Sequence, residues 1–321
     1  MKRKMNIALI DVDGYNFPNL VMMKLSAYHK KLGDCVEWYD PLLNNKIYDI
    51  CYMSKVFTFT PDYQYPINAK KIVKGGTGYF YPNGGEPLPD EIEHIYPDYS
   101  IYYERIPAVK NTAYGFLTRG CPRGCDFCIV KDKEGRCSHK VADLSEFWNG
   151  QPNINLLDPN MFACKDWRDL AKQLINSKAW IDFSQGCDIR IMTEEMANAI
   201  KQMKIKMIHF AWDKYEDKKI IIPKLELFKR VTNWDHRKMI VYVLTNFNTT
   251  LDQDLERVYT LRELGYWPYI TVYDFDKLPK DHVIKKLRRY VNNRFIFENV
   301  KSFDKYQKQQ SQTDPLQLEL F

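Results

Sequence analysis

Short apolar runs alternate with amphipathic stretches along most of the chain. Residues 5–10 (MNIALI) read as a buried strand that ends in Asp11-Val12-Asp13-Gly14. A helical pattern follows from about Asn19 to Lys31, apolar at Leu20, Val21, Met23, Leu25 and Tyr28, and closes at Gly33. CVEWY, YDICYMSKVF and KIVKGGTGY read as further strands, the last one entering a glycine turn. Strands alternating with helix signals predict a parallel sheet, so the first third reads as a small α/β domain. Residues 82–108, rich in Pro, Gly and Tyr, read as an ordered connector.

From Ala113 a strand–helix unit recurs. AYGFLTRG is a strand leading into a cysteine loop, and INLLD (154–158) is a strand followed by the helix KDWRDLAKQLINS. WIDFSQG precedes TEEMANAIKQM, where Thr193 is the expected N-cap, and KMIHFAWD precedes PKLELFKRVTNW. MIVYVLTNF precedes DQDLERVYTLRELG, stopped at Gly265, and YWPYITVYDFD precedes HVIKKLRRYVNN. Six such units with right-handed crossovers curl into a partial (β/α)6 barrel, whose ligands gather at the C-terminal strand ends. After about Ser302 the apolar periodicity fades and a polar tail is expected.

Length and charge add limits. The 321 residues allow about two domains with proper cores. No apolar run approaches 18 residues, so no membrane span is expected, and the basic start followed by an apolar run reads as a first strand rather than a leader. The expectation is a soluble, cytoplasmic protein, and eight cysteines without a secretion signal agree with a reducing compartment. A net charge of +6 permits a nucleic-acid partner without demanding one.

The chemistry concentrates in Gly120-Cys121-Pro122-Arg123-Gly124-Cys125-Asp126-Phe127-Cys128. The spacing Cys-x3-Cys-x2-Cys puts three thiolates on one loop with no evident fourth. Structural zinc wants four ligands, usually in two separated pairs, whereas a 4Fe–4S cubane held by three thiolates keeps one iron open. Three surface cysteines, or a zinc loop with a distant fourth ligand, are the alternatives. Cys35, Cys51, Cys137, Cys164 and Cys187 show no second clustered spacing, and the six histidines show no metal pattern.

The run TRGCPRGCDFC resembles the signature of the radical S-adenosylmethionine (radical SAM) superfamily, in the form seen in its cobalamin-domain and methylthiotransferase branches. The resemblance implies a partial (β/α)6 TIM-like radical SAM barrel (106–300) behind a small Rossmann-like, cobalamin-binding-like domain with its connector (1–105), and a flexible tail (301–321). It implies that Cys121, Cys125 and Cys128 ligate a 4Fe–4S cluster whose open iron binds S-adenosyl-L-methionine. One electron, from a flavodoxin- or ferredoxin-like donor, then splits that sulfonium into methionine and a 5′-deoxyadenosyl radical, which takes a hydrogen atom from the substrate. LLDPN, DFSQGCDIR, IHFAWD, VYVLTNFNTT and RRYVNNRF resemble a bacterial and phage-borne group within the superfamily, a likeness that carries no reaction beyond radical generation. The cobalamin-ligating Asp-x-His-x-x-Gly motif has no histidine here, where Asp11-Val12-Asp13-Gly14-Tyr15-Asn16 stands, so cobalamin is not expected. A cobalamin-assisted methyltransferase acting on a small molecule or peptide stays open, because some relatives hold cobalamin without that ligand.

The same resemblance directs attention to the strand ends. Phe127 matches the aromatic that lies near the adenine. Asp158 and Asn160 stand where a glycine-rich segment receives the methionine amino group; Asp158 is an amine acceptor or an ordinary turn residue. Gln185, Asp188 and Arg190 suit ribose and carboxylate binding, or Asp188 and Arg190 form a structural pair. Trp212 and Asp213 border the expected cavity, Cys187 stands near a strand end, and Thr245 and Asn246 face adenine or ribose unless Asn246 is a turn residue. Tyr273 and Asp274 close the sixth strand.

The chain ends in Gln317-Leu318-Glu319-Leu320-Phe321, which resembles the short peptide by which bacterial replication and repair proteins dock on the DNA sliding clamp. Such an apolar end can fill a partner's pocket or fold back on its own protein. With the basic run Lys285-Lys286-Leu287-Arg288-Arg289, it points to a nucleic-acid-related substrate for an enzyme of otherwise unassigned reaction. A non-catalytic, metal-containing clamp-binding module is the reading from a different class.

Overall fold

The computed structural model describes residues 3–14, 16–42 and 46–312, with side chains to residue 308. The chain forms two compact units, Met1–Gln185 and Gly186–Phe321. The sequence Gln317–Phe321, read as a docking peptide, lies outside the described residues.

The first unit begins with four parallel strands, β1 (Asn6–Asp11), β2 (Cys35–Trp38), β3 (Ile50–Ser54) and β4 (Ile72–Gly75), in the order β2-β1-β3-β4. Strand β1 is buried on both faces, as a central parallel strand should be. Ile7 and Leu9 pack with Met22 and Leu25 of α1 (Leu20–Lys31), while Ala8 and Ile10 pack with Cys51 and Met53. Asn19 starts α1 by accepting the N–H groups of Val21 and Met22, and its Nδ2 donates to Ser54 Oγ at 2.8 Å. That bond pins the helix start to the end of β3. The connector carries the one-turn helix α2 (Asp90–Glu93) and the buried rings of Tyr99 and Tyr102.

Next come β5 (Thr112–Gly115), β6 (Thr118–Arg119), the short helix α3 (Val130–Lys133), β7 (His139–Lys140), β8 (Asn153–Leu156), α4 (Trp167–Ser177) and β9 (Trp180–Phe183). Strands β5, β8 and β9 are parallel neighbours, in the register Tyr114–Asn155–Asp182 and Gly115–Leu156–Phe183. The run AYGFLTRG, expected as one strand, breaks after Gly115, because the next backbone N–H groups turn to a side chain described below.

The second unit contains α5 (Glu194–Gln202), the two-residue β10 (Lys204–Ile205), β11 (Ile208–Ala211), α6 (Lys218–Thr232), β12 (Met239–Thr245), α7 (Leu251–Leu264), β13 (Trp267–Val272) and α8 (Val283–Asn292). Strands β11, β12 and β13 pair in parallel in that order. Thr193 caps α5 as expected, and Thr250 with Gln253 forms a reciprocal capping box on α7, which ends at Gly265 with φ +77°. Helix α6 starts at Lys218, ahead of the predicted Pro223, because buried Ile221 already anchors its first turn. Within the stretch read as a polar tail there is a further helix: α9 (Arg294–Asn299) is followed by α10 (Phe303–Gln312). Phe303 and Tyr306, one turn apart, are buried against Tyr290 with ring centroids at 5.7 and 5.3 Å. Two such anchors hold a helix whose remaining residues are polar.

No helix among the described residues is long and apolar enough to cross a membrane.

Candidate iron–sulfur and cofactor site

The cysteine loop is tied at its base. Strands β6 and β7 pair antiparallel, Thr118 opposite Lys140 and Arg119 opposite His139, and residues 120–138 bulge from this ribbon. Glu134 clamps it from within. Its Oε1 accepts from Arg119 Nη1 at 2.7 Å and its Oε2 from the Gly120 N–H at 3.1 Å. The Cys121 N–H reaches the Gly135 carbonyl at 3.2 Å, and the Cys128 N–H reaches the Cys125 carbonyl at 3.1 Å. Gly120 has φ +79°, and a Cβ there would stand 2.2 Å from the Cys137 carbonyl oxygen, so no other residue fits without moving the loop.

All three cysteines are neither buried nor fully exposed, and Phe127 is half-buried beside them. Asn160, buried after β8, donates through Nδ2 to Cys121 Sγ at 3.5 Å, and its carbonyl accepts from Ser138 Oγ at 2.9 Å. Among the described residues, no three His, Cys, Asp or Glu side chains converge on a point as a single ion would require. A cubane makes no such demand, since each thiolate takes a different iron. Three accessible thiols on one loop, one of them already receiving an N–H donor, fit that donor set, because hydrogen bonds to the sulfurs are among the groups that tune such clusters.

Asp158 has a different task from the expected one. It is buried, and its oxygens accept from the Leu117 N–H (3.1 Å), the Thr118 N–H (2.5 Å) and Thr118 Oγ1 (2.6 Å). Burial pushes its carboxyl up to about 6, against those three donors and the Arg119 charge. The carboxyl therefore braces the strand that carries the cysteine loop.

In the second unit Arg190 is held between carboxylates. Nε donates to Asp188 Oδ1 at 2.8 Å and Nη1 to Asp217 Oδ2 at 3.2 Å. Asp188 also caps the following turn through the Arg190 N–H. This is the structural pair, extended by Asp217, a partner with no signal in the local sequence. Asp213 lies two residues past β11, and its carbonyl accepts from fully buried Arg257, which also donates to the carbonyls of Trp212 and Leu244 and to Asp254 Oδ1. Burial raises the Asp213 carboxyl to about 6; Arg190 and Arg257 oppose that rise, and Asp188 and Asp217 add to it. Asn246 sits at φ +60° and donates to the Tyr273 carbonyl at 2.8 Å, so it links the ends of β12 and β13 as a turn residue. Thr245 is buried and bonds the Thr271 carbonyl. Gln185 is exposed, Cys187 is buried and Asp274 pairs with Lys277. The charges of α8 lie on its outer side, with Lys285 and Arg288 over the Phe275 ring.

The places at which the resemblance would seat a cobalamin are spent on the protein itself. Asp13 accepts from the N–H groups of Val56 and Phe57 and from Thr60 Oγ1. A Cβ on Gly76 or Gly78 would meet Lys55 at 2.3 or 2.5 Å, so these glycines serve a close turn-to-loop contact. Asp13, bonded to the 56–60 segment, thus stands where the motif's ligating histidine would be.

Among solved structures, the chain is similar to the radical S-adenosylmethionine methyltransferase TsrM from Kitasatospora setae, determined with cobalamin and a [4Fe-4S] cluster bound. The TM-score is 0.59 at 12% identity, over 84% of this chain and 75% of that one. The chain therefore shares the fold of that protein, and at this identity the likeness is one of fold alone. No protein-family model matches the chain, and no curated protein matches it in sequence.

Proposed function

We propose that this chain is a radical SAM enzyme in which Cys121, Cys125 and Cys128 hold a 4Fe–4S cluster and S-adenosylmethionine completes the open iron. The observation that carries the reading is the tied cysteine loop itself, three half-exposed cysteines with Asn160 donating to one of them, in a chain of radical SAM fold. Held by these three cysteines, such a cluster would supply the single electron that reductive cleavage of the S-adenosylmethionine sulfonium requires. The protein's own residues do the rest. Asp158, Thr118 and Glu134 fix the loop, Asn160 hydrogen-bonds one ligand sulfur, and half-buried Phe127 offers a face for the adenine. The strand–helix alternation from β5 to α8 supports a partial (β/α)6 barrel over 106–300, and the sheet β2-β1-β3-β4 supports a Rossmann-like domain over 1–105.

The test is anaerobic incubation of reconstituted protein with dithionite and S-adenosylmethionine. The reading expects 5′-deoxyadenosine from the native chain and none from Cys121→Ala; equal amounts from both would defeat it. The carboxy-terminal sequence adds a partner of its own: removal of residues 317–321 is expected to abolish capture by a sliding clamp, and unchanged capture would dismiss that peptide.

A further inference from the structure

The sheet β5-β8-β9 has two unlike faces. One carries Ala113, Gly115, Ile154, Leu156, Ile181 and Phe183, all buried. It leads through the Phe183–Phe162 and Phe162–Trp167 ring contacts, at 5.8 and 5.7 Å, to the start of α4. The other face carries Tyr114, Asn155 and Asp182, side by side in the parallel register. Parallel strands are ordinarily apolar on both faces, so a row of phenol, amide and carboxylate in one calls for a purpose. Asn155 Oδ1 is buried and, among the described residues, has no hydrogen-bond partner, which is unfavourable unless a donor arrives. Asp182 is exposed. Phe17, 46% exposed, lies edge-on to the Tyr114 ring at 5.2 Å, adding an accessible aromatic surface.

We propose that Tyr114, Asn155 and Asp182 form a binding site for a planar heterocycle that presents adjacent N–H donors, a nucleobase edge of the guanine type. Neighbouring strands stand about 4.8 Å apart, so Asn155 Oδ1 and the Asp182 carboxylate offer a line of acceptors on the scale of a base edge. A carboxylate accepts two adjacent N–H groups at once, whereas a base with a single ring N–H leaves one oxygen idle. The exposed ring of Phe17, backed edge-on by buried Tyr114, supplies the flat, apolar contact that a heterocycle prefers. This inference deepens the proposed function, resting on it only in making the bound base the substrate of the radical chemistry.

The experiment is calorimetric titration of anaerobically purified, cluster-loaded protein with guanosine, inosine and uridine. Guanosine is expected to bind saturably, inosine about tenfold more weakly for the lost amino group, and uridine more weakly still. Asp182→Asn, at an exposed position that leaves the fold intact by circular dichroism, is expected to weaken guanosine at least about tenfold. Asn155→Leu, which removes the buried acceptor and keeps the branched, four-heavy-atom side chain, is expected to do the same. No saturable binding of guanosine, equal binding of uridine, or unchanged binding by Asp182→Asn would overturn the site. Failure of the binding with 5′-deoxyadenosine still formed from S-adenosylmethionine sinks this inference alone. Guanosine binding without 5′-deoxyadenosine formation sinks the radical reading and leaves the site standing.

Discussion

Asp158 and Thr118 are joined twice, by the backbone N–H at 2.5 Å and by the hydroxyl at 2.6 Å, and the second oxygen of Asp158 takes the neighbouring Leu117 N–H. This relation sets where the chain leaves β5 and so where the cysteine loop begins. Asp158→Asn keeps the shape but turns an amide NH2 toward one of the donors, an unmade bond worth about 1 to 3 kcal/mol. Iron bound per chain after anaerobic reconstitution is expected to fall by more than half, and the urea midpoint to drop. Thr118→Val, which keeps both backbone bonds, is expected to fall less. Native iron content in Asp158→Asn would show the brace to be dispensable.

Gly120 and Gly135 separate backbone strain from steric exclusion in the same loop. Both have positive φ, but only Gly120 has a carbonyl oxygen where its Cβ would go, while nothing stands within 4 Å of a Cβ at Gly135. Gly135→Ala is expected to lose about 1 kcal/mol and to retain its iron. Gly120→Ala must displace Cys137 and with it the loop that holds the ligands, so its iron content is expected to collapse. Equal behaviour of the two variants, measured by iron assay and urea unfolding, would contradict the close contact.

Asp213 gives a pH dependence with a defined sign. Its folded carboxyl lies near 6, above the usual 3.8, through burial, with Arg190 and Arg257 opposing the rise and Asp188 and Asp217 reinforcing it. A raised value means the protonated form is favoured in the fold. Its contribution is full below about pH 4 and is lost as pH rises through about 6, leaving the ionised group unfavourable by roughly 1 to 3 kcal/mol. Asp213→Asn does not titrate. Its urea midpoint is therefore expected to gain on the native chain between about pH 5 and about pH 8, whereas a constant difference would contradict the shift.

Much of this architecture was legible in the sequence because each long element has one buried stripe and a marked end, such as Asn19 on α1, Thr250 on α7 or Gly265 after it. Helix α10 escaped because Phe303 and Tyr306 alone do not make a period. The cysteine spacing was legible, since three ligands fall on one loop. Its supports were not: nothing local says that Glu134 reaches back to Gly120, or that Asp217 shares Arg190 with Asp188. Asp158 and Arg190 had the right chemistry for ligand binding, and the structure uses that chemistry on the protein's own donors and acceptors. The Tyr114–Asn155–Asp182 row needed the strand register, which sequence periodicity leaves undetermined.

The central claim is a cubane with one iron free for a sulfonium ligand. Electron paramagnetic resonance of the reduced, anaerobically reconstituted protein, recorded with and without S-adenosylmethionine, tests it most directly. The account predicts a reduced 4Fe–4S signal that changes on addition of S-adenosylmethionine and is lost in Cys121→Ala, Cys125→Ala and Cys128→Ala. A signal indifferent to S-adenosylmethionine, or thiolates filled by zinc with no cluster formed, would contradict it.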